Sequence, residues 1–152
     1  MKKIIKYFPL LFLSLLFSSC LKTGLDELPA FSDAEITQFR FEYRWLDETS
    51  SQLRVAQLTT TATIDEATGS VNCILTVPEV GTYFPAEVRA QVTLSNIVGY
   101  ADISIAAIMK PIGDAPKLGI VADYSKTKME YEITAADGTS KTWSLNITAF
   151  NK

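Results

Sequence analysis

The sequence predicts an all-β domain whose antiparallel strands form a sandwich. First, apolar and polar residues alternate along several short segments, the two-residue period of strands buried on one face. Second, turn-forming residues recur roughly every eight to twelve residues, and no segment shows a convincing amphipathic helical period. Third, aromatic residues occupy the alternating positions, as expected where two layers pack together.

The first predicted strand begins at Ile36 and places four aromatic side chains on one face. Those side chains are Phe39, Phe41, Tyr43 and Trp45. The intervening positions are polar or charged, so they belong to the opposite face. We therefore assign the aromatic residues to the core.

Residues 52–64 predict the second strand, because they are dense in Thr, Val and Leu. The apolar residues occupy odd-numbered positions as far as Val55 and even-numbered positions from Leu58 onward. Such a switch predicts a β-bulge near Ala56 and Gln57, since one extra residue moves the following side chains to the other face.

A turn at residues 65–70 and renewed alternation over residues 71–77 complete a hairpin that Pro78 ends. Cys73 lies on the apolar face of its second strand and is predicted to be a small buried residue without reactivity.

Further strands are predicted over residues 87–94 and at Ile103 and Ile105, where alternation continues. Residues 110–117 contain the Gly and Pro of a loop, and residues 118–121 predict a short edge strand.

The last hairpin joins two alternating segments around Asp137 and Gly138. A two-residue turn would place their apolar side chains on opposite faces, with Ile133 opposite Thr142. A three-residue loop with Gly138 in the left-handed conformation places them on one face. The predicted cross-strand pairs are Tyr131 with Trp143 and Met129 with Leu145.

Residues 1–19 have the pattern of an export signal: lysines precede an apolar run too short to span a bilayer. Cys20 follows two serines and resembles the lipobox cysteine of bacterial lipoproteins, whose thiol is acylated. We expect a signal peptide at 1–19, a lipidated linker at 20–34 and the β domain at 35–152.

Charge limits the partners of the exported part. The signal contains three of the 14 basic residues, which leaves 11 against 17 acidic residues. This excess of negative charge disfavours nucleic acid, so no nucleic-acid partner is expected. Attraction to a membrane must come from the lipid at Cys20.

The segment 122–148 resembles the terminal hairpin of immunoglobulin-like domains in Bacteroidetes-type surface lipoproteins. The matching residues are Tyr131, Ile133, Thr134, Ala135, Asp137, Gly138, Thr139, Lys141 and Trp143. Segments 36–41 and 62–78 resemble the opening strand and first hairpin of that family. The resemblance implies an immunoglobulin-like sandwich of about seven strands. It also implies a link to polysaccharide capture and uptake at the outer membrane.

No catalytic constellation assembles from the sequence. The chain contains no histidine, which removes the commonest general base and metal ligand. The carboxylate pairs Asp47 with Glu48 and Asp65 with Glu66 lie in predicted turns, where solvated acids are usual. We therefore expect no enzyme, no cofactor and no metal site.

Loop aromatic residues are the candidate ligand contacts, because exposed rings serve as apolar platforms for sugars. They are Tyr83, Phe84, Tyr100 and Tyr124. Each could instead anchor its loop. The adjacent pair Tyr83 and Phe84 is the foremost candidate.

The expected function is that of a non-enzymatic, lipid-anchored outer-membrane protein with a binding or spacer domain. Its partners would be the membrane, a glycan or neighbouring outer-membrane proteins. The alternative is an adhesion or assembly module that pairs through a sheet edge, which requires a long outer strand without Lys, Pro or bulge. Whether the domain lies outside the cell or in the periplasm stays open.

Overall fold

The computed structural model describes residues 30–152, so the predicted signal peptide, Cys20 and most of the linker lie outside the described residues. The strands are β1 (Ile36–Asp47), β2 (Gln52–Asp65), β3 (Ser70–Thr76), β4 (Ile97–Ile103), β5 (Ile108–Pro111), β6 (Val121–Ala122), β7 (Met129–Thr134) and β8 (Ser140–Asn151). A six-residue helix, α1 (Ala86–Gln91), and a 3-10 turn (Leu94–Asn96) precede β4.

The strands form one curled, mixed sheet of eight strands in the order β5-β7-β8-β3-β2-β1-β4-β6. Among these eight strands of the described residues, only β3 and β8 pair in parallel. The first half of β2 pairs with β1, and its second half pairs with β3. The all-β prediction is therefore confirmed. The immunoglobulin-like sandwich stays a prediction, because the strands are continuous in a single sheet.

The curl brings β1 against β7 and encloses an aromatic core. The rings of Phe39 and Tyr131 lie 6.3 Å apart, and the Phe41 ring meets Tyr124 edge-on at 5.2 Å. Trp143 is also completely buried. Burying each such ring stabilises the fold by about 1.5–3 kcal/mol. The predicted inward face of β1 is confirmed for its first three aromatic residues.

The predicted register of the last hairpin is also confirmed. Tyr131 pairs with Trp143, and Met129 pairs with Leu145. The three-residue loop is closed by a hydrogen bond that the Ala135 N–H donates to the Thr139 carbonyl at 2.8 Å. Gly138 has a φ of 91°, a left-handed value that residues with a Cβ atom rarely adopt.

The predicted bulge in β2 is wrong. The even-numbered residues from Arg54 onward are the more buried ones along β2. Its pairing with β1 and β3 shows no register shift. Ala56 and Leu58 point inward, whereas Leu53 and Val55 are 65% and 47% exposed on the outer face. Outer-face apolar residues produced the apparent switch. What changes along β2 is its partner strand.

The predicted strand over residues 87–94 is wrong as well, since this segment forms α1 and the 3-10 turn. Most residues of α1 are good helix formers, and Pro85 precedes the first turn, where its missing N–H does no harm. Val88 and Val92 contact the core from positions four residues apart. Their spacing satisfies both a two-residue and a helical period.

The edges of the sheet also differ from expectation. β4 ends at Ile103, and Ile105 lies in the following turn, 76% exposed. The predicted loop at 110–117 begins inside β5, which includes Lys110 and Pro111. The predicted edge strand at 118–121 is shorter and lies at Val121–Ala122.

Gly99 provides a test of the core packing. A Cβ atom at this position would lie 2.6 Å from Oη of Tyr124, whose side chain is completely buried. We expect Gly99→Ala to lower the free energy of unfolding by about 1–3 kcal/mol, because an overpacked core must shift. Denaturant unfolding measures the effect.

The matched control is Gly81→Ala. No atom lies within 4 Å of the Cβ position there. Its effect should stay within about 0.5 kcal/mol, as for most surface substitutions. Equal stability of the two variants would contradict the packing described at Gly99.

Candidate binding cleft

A cleft opens where the β1–β2 hairpin extends past β4. The pairing of β1 with β4 ends at Glu42 and Val98, whereas its pairing with β2 continues to Asp47 and Gln52. The loop before α1 and α1 itself face this extension. They enclose an open cleft of about 620 Å³. Its lining comprises residues 45–49 and Arg54 on one side, and Thr82, Tyr83, Pro85, Glu87, Val88 and Gln91 on the other.

Two aromatic side chains contribute to the cleft from opposite sides. Trp45 is half-buried, and its ring stacks on Tyr43 with centroids 5.9 Å apart. Tyr83 is 76% exposed, and within residues 30–152 only Ile105 among the large hydrophobic residues is as exposed. An exposed ring and a half-buried ring in one cleft form an apolar platform with polar surroundings.

Phe84 holds the loop that carries Tyr83. Its side chain is only 8% exposed, and its ring centroid lies 5.6 Å from that of Trp45. Backbone hydrogen bonds between Gly81 and Phe84, at 3.0 and 3.1 Å, close the loop. Because Phe84 points inward, its neighbour Tyr83 projects into solvent.

Arg54 connects β2 to this loop. Its guanidinium carbon lies 5.8 Å from the centroid of the Tyr83 ring, within the range of a cation–π contact. Its Nη2 also lies 3.3 Å from Oδ2 of Asp47. The charge of Arg54 is therefore shared between an aromatic ring and a carboxylate of the cleft.

Asp47 has a structural role in the hairpin turn. Its carboxylate accepts hydrogen bonds from the Ser50 hydroxyl at 2.8 Å and the Thr49 N–H at 3.0 Å. The Ser50 hydrogen bond is the main reason that the pKa of Asp47 is lowered. Asp65 is similar, since the hydroxyl of Thr68 lowers its pKa in the β2–β3 turn. Both carboxylates are acceptors that stabilise turns, and neither is poised as an acid.

The four predicted ligand-contact residues do not form one site. Tyr83 lines the cleft, with Phe84 buried behind it. Tyr124 lies in the core, where burial raises its pKa to about 12. Tyr100 lies on the outer face of β4, where its hydroxyl donates a 2.9 Å hydrogen bond to Glu42. Whether any of them contacts a ligand stays a prediction.

Glu42 forms a polar network on that outer face, although the alternation of β1 predicted only solvent there. Its carboxylate is nearly buried and accepts hydrogen bonds from Nε of Arg44 at 2.6 Å and Nε2 of Gln57 at 2.9 Å. The bond with Glu42 raises the pKa of Arg44. Arg44 belongs to β1 itself, whereas Gln57 and Tyr100 donate from β2 and β4, so the network ties β1 to both neighbouring strands.

Cys73 is buried, as predicted. Its side chain is completely inaccessible, and burial raises the pKa of its thiol to about 12. A thiol that stays protonated is neither a nucleophile nor a metal ligand. Residues 30–152 also bring together no group of three His, Cys, Asp or Glu side chains that could hold a metal ion.

Sequence reasoning missed the roles of Trp45 and α1 in the cleft. Trp45 shares the face of the core aromatic residues, but it is the last of the row and stands two residues before the turn at Asp47. Its position next to a polar turn is the one signal that could have separated it from the core. The segment of α1 was expected to be a strand, so nothing placed it beside the hairpin.

Comparisons with known proteins identify relatives of this domain. A family model described as DUF5018-related matches residues 36–146. The crystal structure of a protein from Bacteroides fragilis, one inferred to be secreted, is similar to this chain at 35% sequence identity with a TM-score of 0.72. The match covers 82% of this chain and 100% of that one. No curated protein matches the chain. Within residues 30–152, no helix has the length and apolar character required to cross a membrane.

Tyr83 and Phe84 should differ sharply when each is replaced by alanine. We expect Phe84→Ala to lower the free energy of unfolding by about 3–5 kcal/mol, because a buried ring is lost. Tyr83→Ala removes an exposed ring and one cation–π contact, so its cost should stay below about 1 kcal/mol. Denaturant unfolding of both variants measures the difference. Similar losses of unfolding free energy would contradict a buried Phe84 that anchors the loop and an exposed Tyr83 that does not.

Proposed function

This chain belongs to the DUF5018-related family, and we propose that it is a non-enzymatic, lipid-anchored outer-membrane protein that binds glycans. Its β domain, in this proposal an immunoglobulin-like module, serves polysaccharide capture as an accessory of an uptake system. The observation that carries the proposal is the Tyr83 ring, which is 76% exposed and lies across a cleft of about 620 Å³ from Trp45.

The composition of the cleft suits a sugar. A pyranose ring has apolar C–H faces that pack on aromatic rings and hydroxyl edges that need hydrogen-bond partners. Tyr83 and Trp45 offer the apolar contact, while Thr49, Thr82 and Gln91 offer polar groups from both sides. The volume lies within the range of ordinary ligand sites, about 300–1,000 Å³.

The placement of the amino-terminal segment supports display of the cleft away from the membrane. Residues 30–35 run along the β7–β8 end of the domain, where Nε1 of Trp143 donates a 2.9 Å hydrogen bond to the Ala34 carbonyl. The Asp137 N–H donates to the Phe31 carbonyl at 3.2 Å. A tether from Cys20 therefore enters at this end.

The cleft lies at the opposite end of β1. At a rise of about 3.3 Å per residue, the strand spans about 36 Å from Ile36 to Asp47. A lipid on Cys20 would hold the β7–β8 end toward the membrane and leave the cleft accessible to an extended ligand. The Bacteroides fragilis relative is inferred to be secreted, which supports export of this chain too. The proposal covers an envelope location on either the outer or the periplasmic side.

The absence of enzymatic activity is part of the proposal. Asp47 is occupied by its turn, Cys73 is buried, and the chain has no histidine. Binding requires only the shape and polarity of the cleft, whereas hydrolysis would require a placed acid and base.

The alternative function, assembly through a sheet edge, is less well supported. The outermost strands are β5, with four residues that include Lys110 and Pro111, and β6, with two residues. Short edges that carry Lys or Pro resist pairing with another chain. The long outer strand that this function needs is not found at either end of the described sheet.

Glycan binding is tested by retention of the protein on polysaccharide gels. We expect micromolar or weaker binding, and Tyr83→Ala should weaken it by about two- to tenfold, because an aromatic contact contributes about 0.5–1.5 kcal/mol. The matched control is Ile105→Ala, which removes a side chain of the same 76% exposure in the turn after β4. Unchanged retention of Tyr83→Ala, or no retention of the native protein on any polysaccharide, would refute the proposal.

The lipid anchor is tested by counting thiols in protein purified from its native membrane. The chain has two cysteines, and Cys73 is buried. If Cys20 is acylated, a thiol reagent should find no reactive group in the folded protein and one after unfolding. Cys73→Ser should abolish the second signal. A thiol that reacts in the folded Cys73→Ser variant would show that Cys20 is unmodified.

A further inference from the structure

The charges that line the cleft are unbalanced. Asp47, Glu48 and Glu87 contribute three carboxylates, and Arg54 contributes the single guanidinium. Two carboxylates therefore have no compensating cation among the residues that line the cleft. They come from opposite sides, Glu48 from the hairpin turn and Glu87 from α1.

Arg54 does not offset the carboxylates of Glu48 and Glu87, because its charge is already paired. Its guanidinium already lies 3.3 Å from the carboxylate of Asp47 and 5.8 Å from the centroid of the Tyr83 ring. The pair is electrically neutral, so it neither attracts nor repels a charged sugar strongly.

Glu48 and Glu87 are free to meet a ligand. Both side chains are exposed, and within residues 30–152 neither has a hydrogen-bond or ion-pair partner. A carboxylate only accepts hydrogen bonds, so it matches a hydroxyl or an ammonium group. It repels the carboxylate of a uronic acid or the sulfate of a sulfated sugar.

We infer that the cleft selects neutral or amine-bearing glycans and rejects anionic ones, with Glu48 and Glu87 as the discriminating residues. This inference rests on the proposed glycan function of the same cleft. One unit charge at about 4 Å in water changes an affinity by about fivefold, and the effect is larger near a protein surface. Salt should weaken the discrimination, since the Debye length is about 8 Å at physiological ionic strength.

The test compares polysaccharides that share a backbone and differ in charge. The probes are hydroxyethyl cellulose, carboxymethyl cellulose and chitosan, with dextran and dextran sulfate as a second set. Binding to the full-length protein is measured by calorimetry at low and at physiological salt. We expect the neutral or cationic member of a set to bind at least fivefold more tightly than the anionic member.

The double variant Glu48→Gln/Glu87→Gln should lower the ratio of the two affinities, neutral or cationic probe to anionic probe, by at least fivefold. Its control is Glu66→Gln/Glu132→Gln, which changes the net charge equally but alters the β2–β3 turn and β7, outside the cleft. An equal effect of both variants would overturn the inference, because net charge alone would then explain the preference.

The outcomes separate the inference from the proposed function. Equal binding of neutral and anionic probes, with loss of both in Tyr83→Ala, refutes the charge selection and retains the glycan site. Failure of every probe, including those tested for retention, refutes the glycan site and the selection together.

Discussion

The partner exchange along β2 is the constraint on which the rest of the structure depends. A 14-residue strand pairs with β1 through Leu58 and with β3 from Thr59 onward. The pairings with β1 and with β3 lie on different halves of this one strand, so the twisted sheet curls at β2 instead of staying open. The curl places β1 against β7 and makes an enclosed core from a single sheet.

The same arrangement produces the cleft. β1 carries a continuous row of aromatic side chains, and the curl covers the row only as far as Tyr43. Trp45 extends past the covered part and would be more exposed if Phe84 did not pack against it. The wall of the cleft is therefore the end of the core, and its rigidity comes from rings that are packed for stability.

The polar groups around the cleft are of two kinds, those that hold the structure and those exposed to solvent. Asp47 and Arg54 satisfy each other and the turn, whereas Glu48 and Glu87 remain exposed to solvent. On the outer face of the sheet, the carboxylate of Glu42 is surrounded by donors from three strands. Paired groups hold the scaffold, whereas Glu48 and Glu87, which have no ion-pair partner among residues 30–152, are the groups on which the inferred charge selection depends.

The amino-acid sequence by itself determined the all-β class, the inward face of β1, the buried Cys73 and the register of the last hairpin. These features depend on contacts between residues close in sequence or on strict alternation, where one misplaced residue would turn every side chain to the wrong face. The requirement that the apolar side chains of both strands lie on one face distinguished the three-residue loop from the two-residue turn, and Gly138 fits the left-handed position of that loop.

Tertiary structure alone decided the course of β2, the helical state of residues 86–91 and the composition of the cleft. Leu53 and Val55 are apolar yet exposed, and Val88 and Val92 fit two periods equally well, so local pattern could not resolve either segment. Tyr83 was a candidate from sequence. The burial of Phe84, the exposure of Tyr83 and the contact of Tyr83 with Arg54 are visible only in the folded structure. Contacts between residues distant in sequence depend on how the sheet closes, and no local period contains that information.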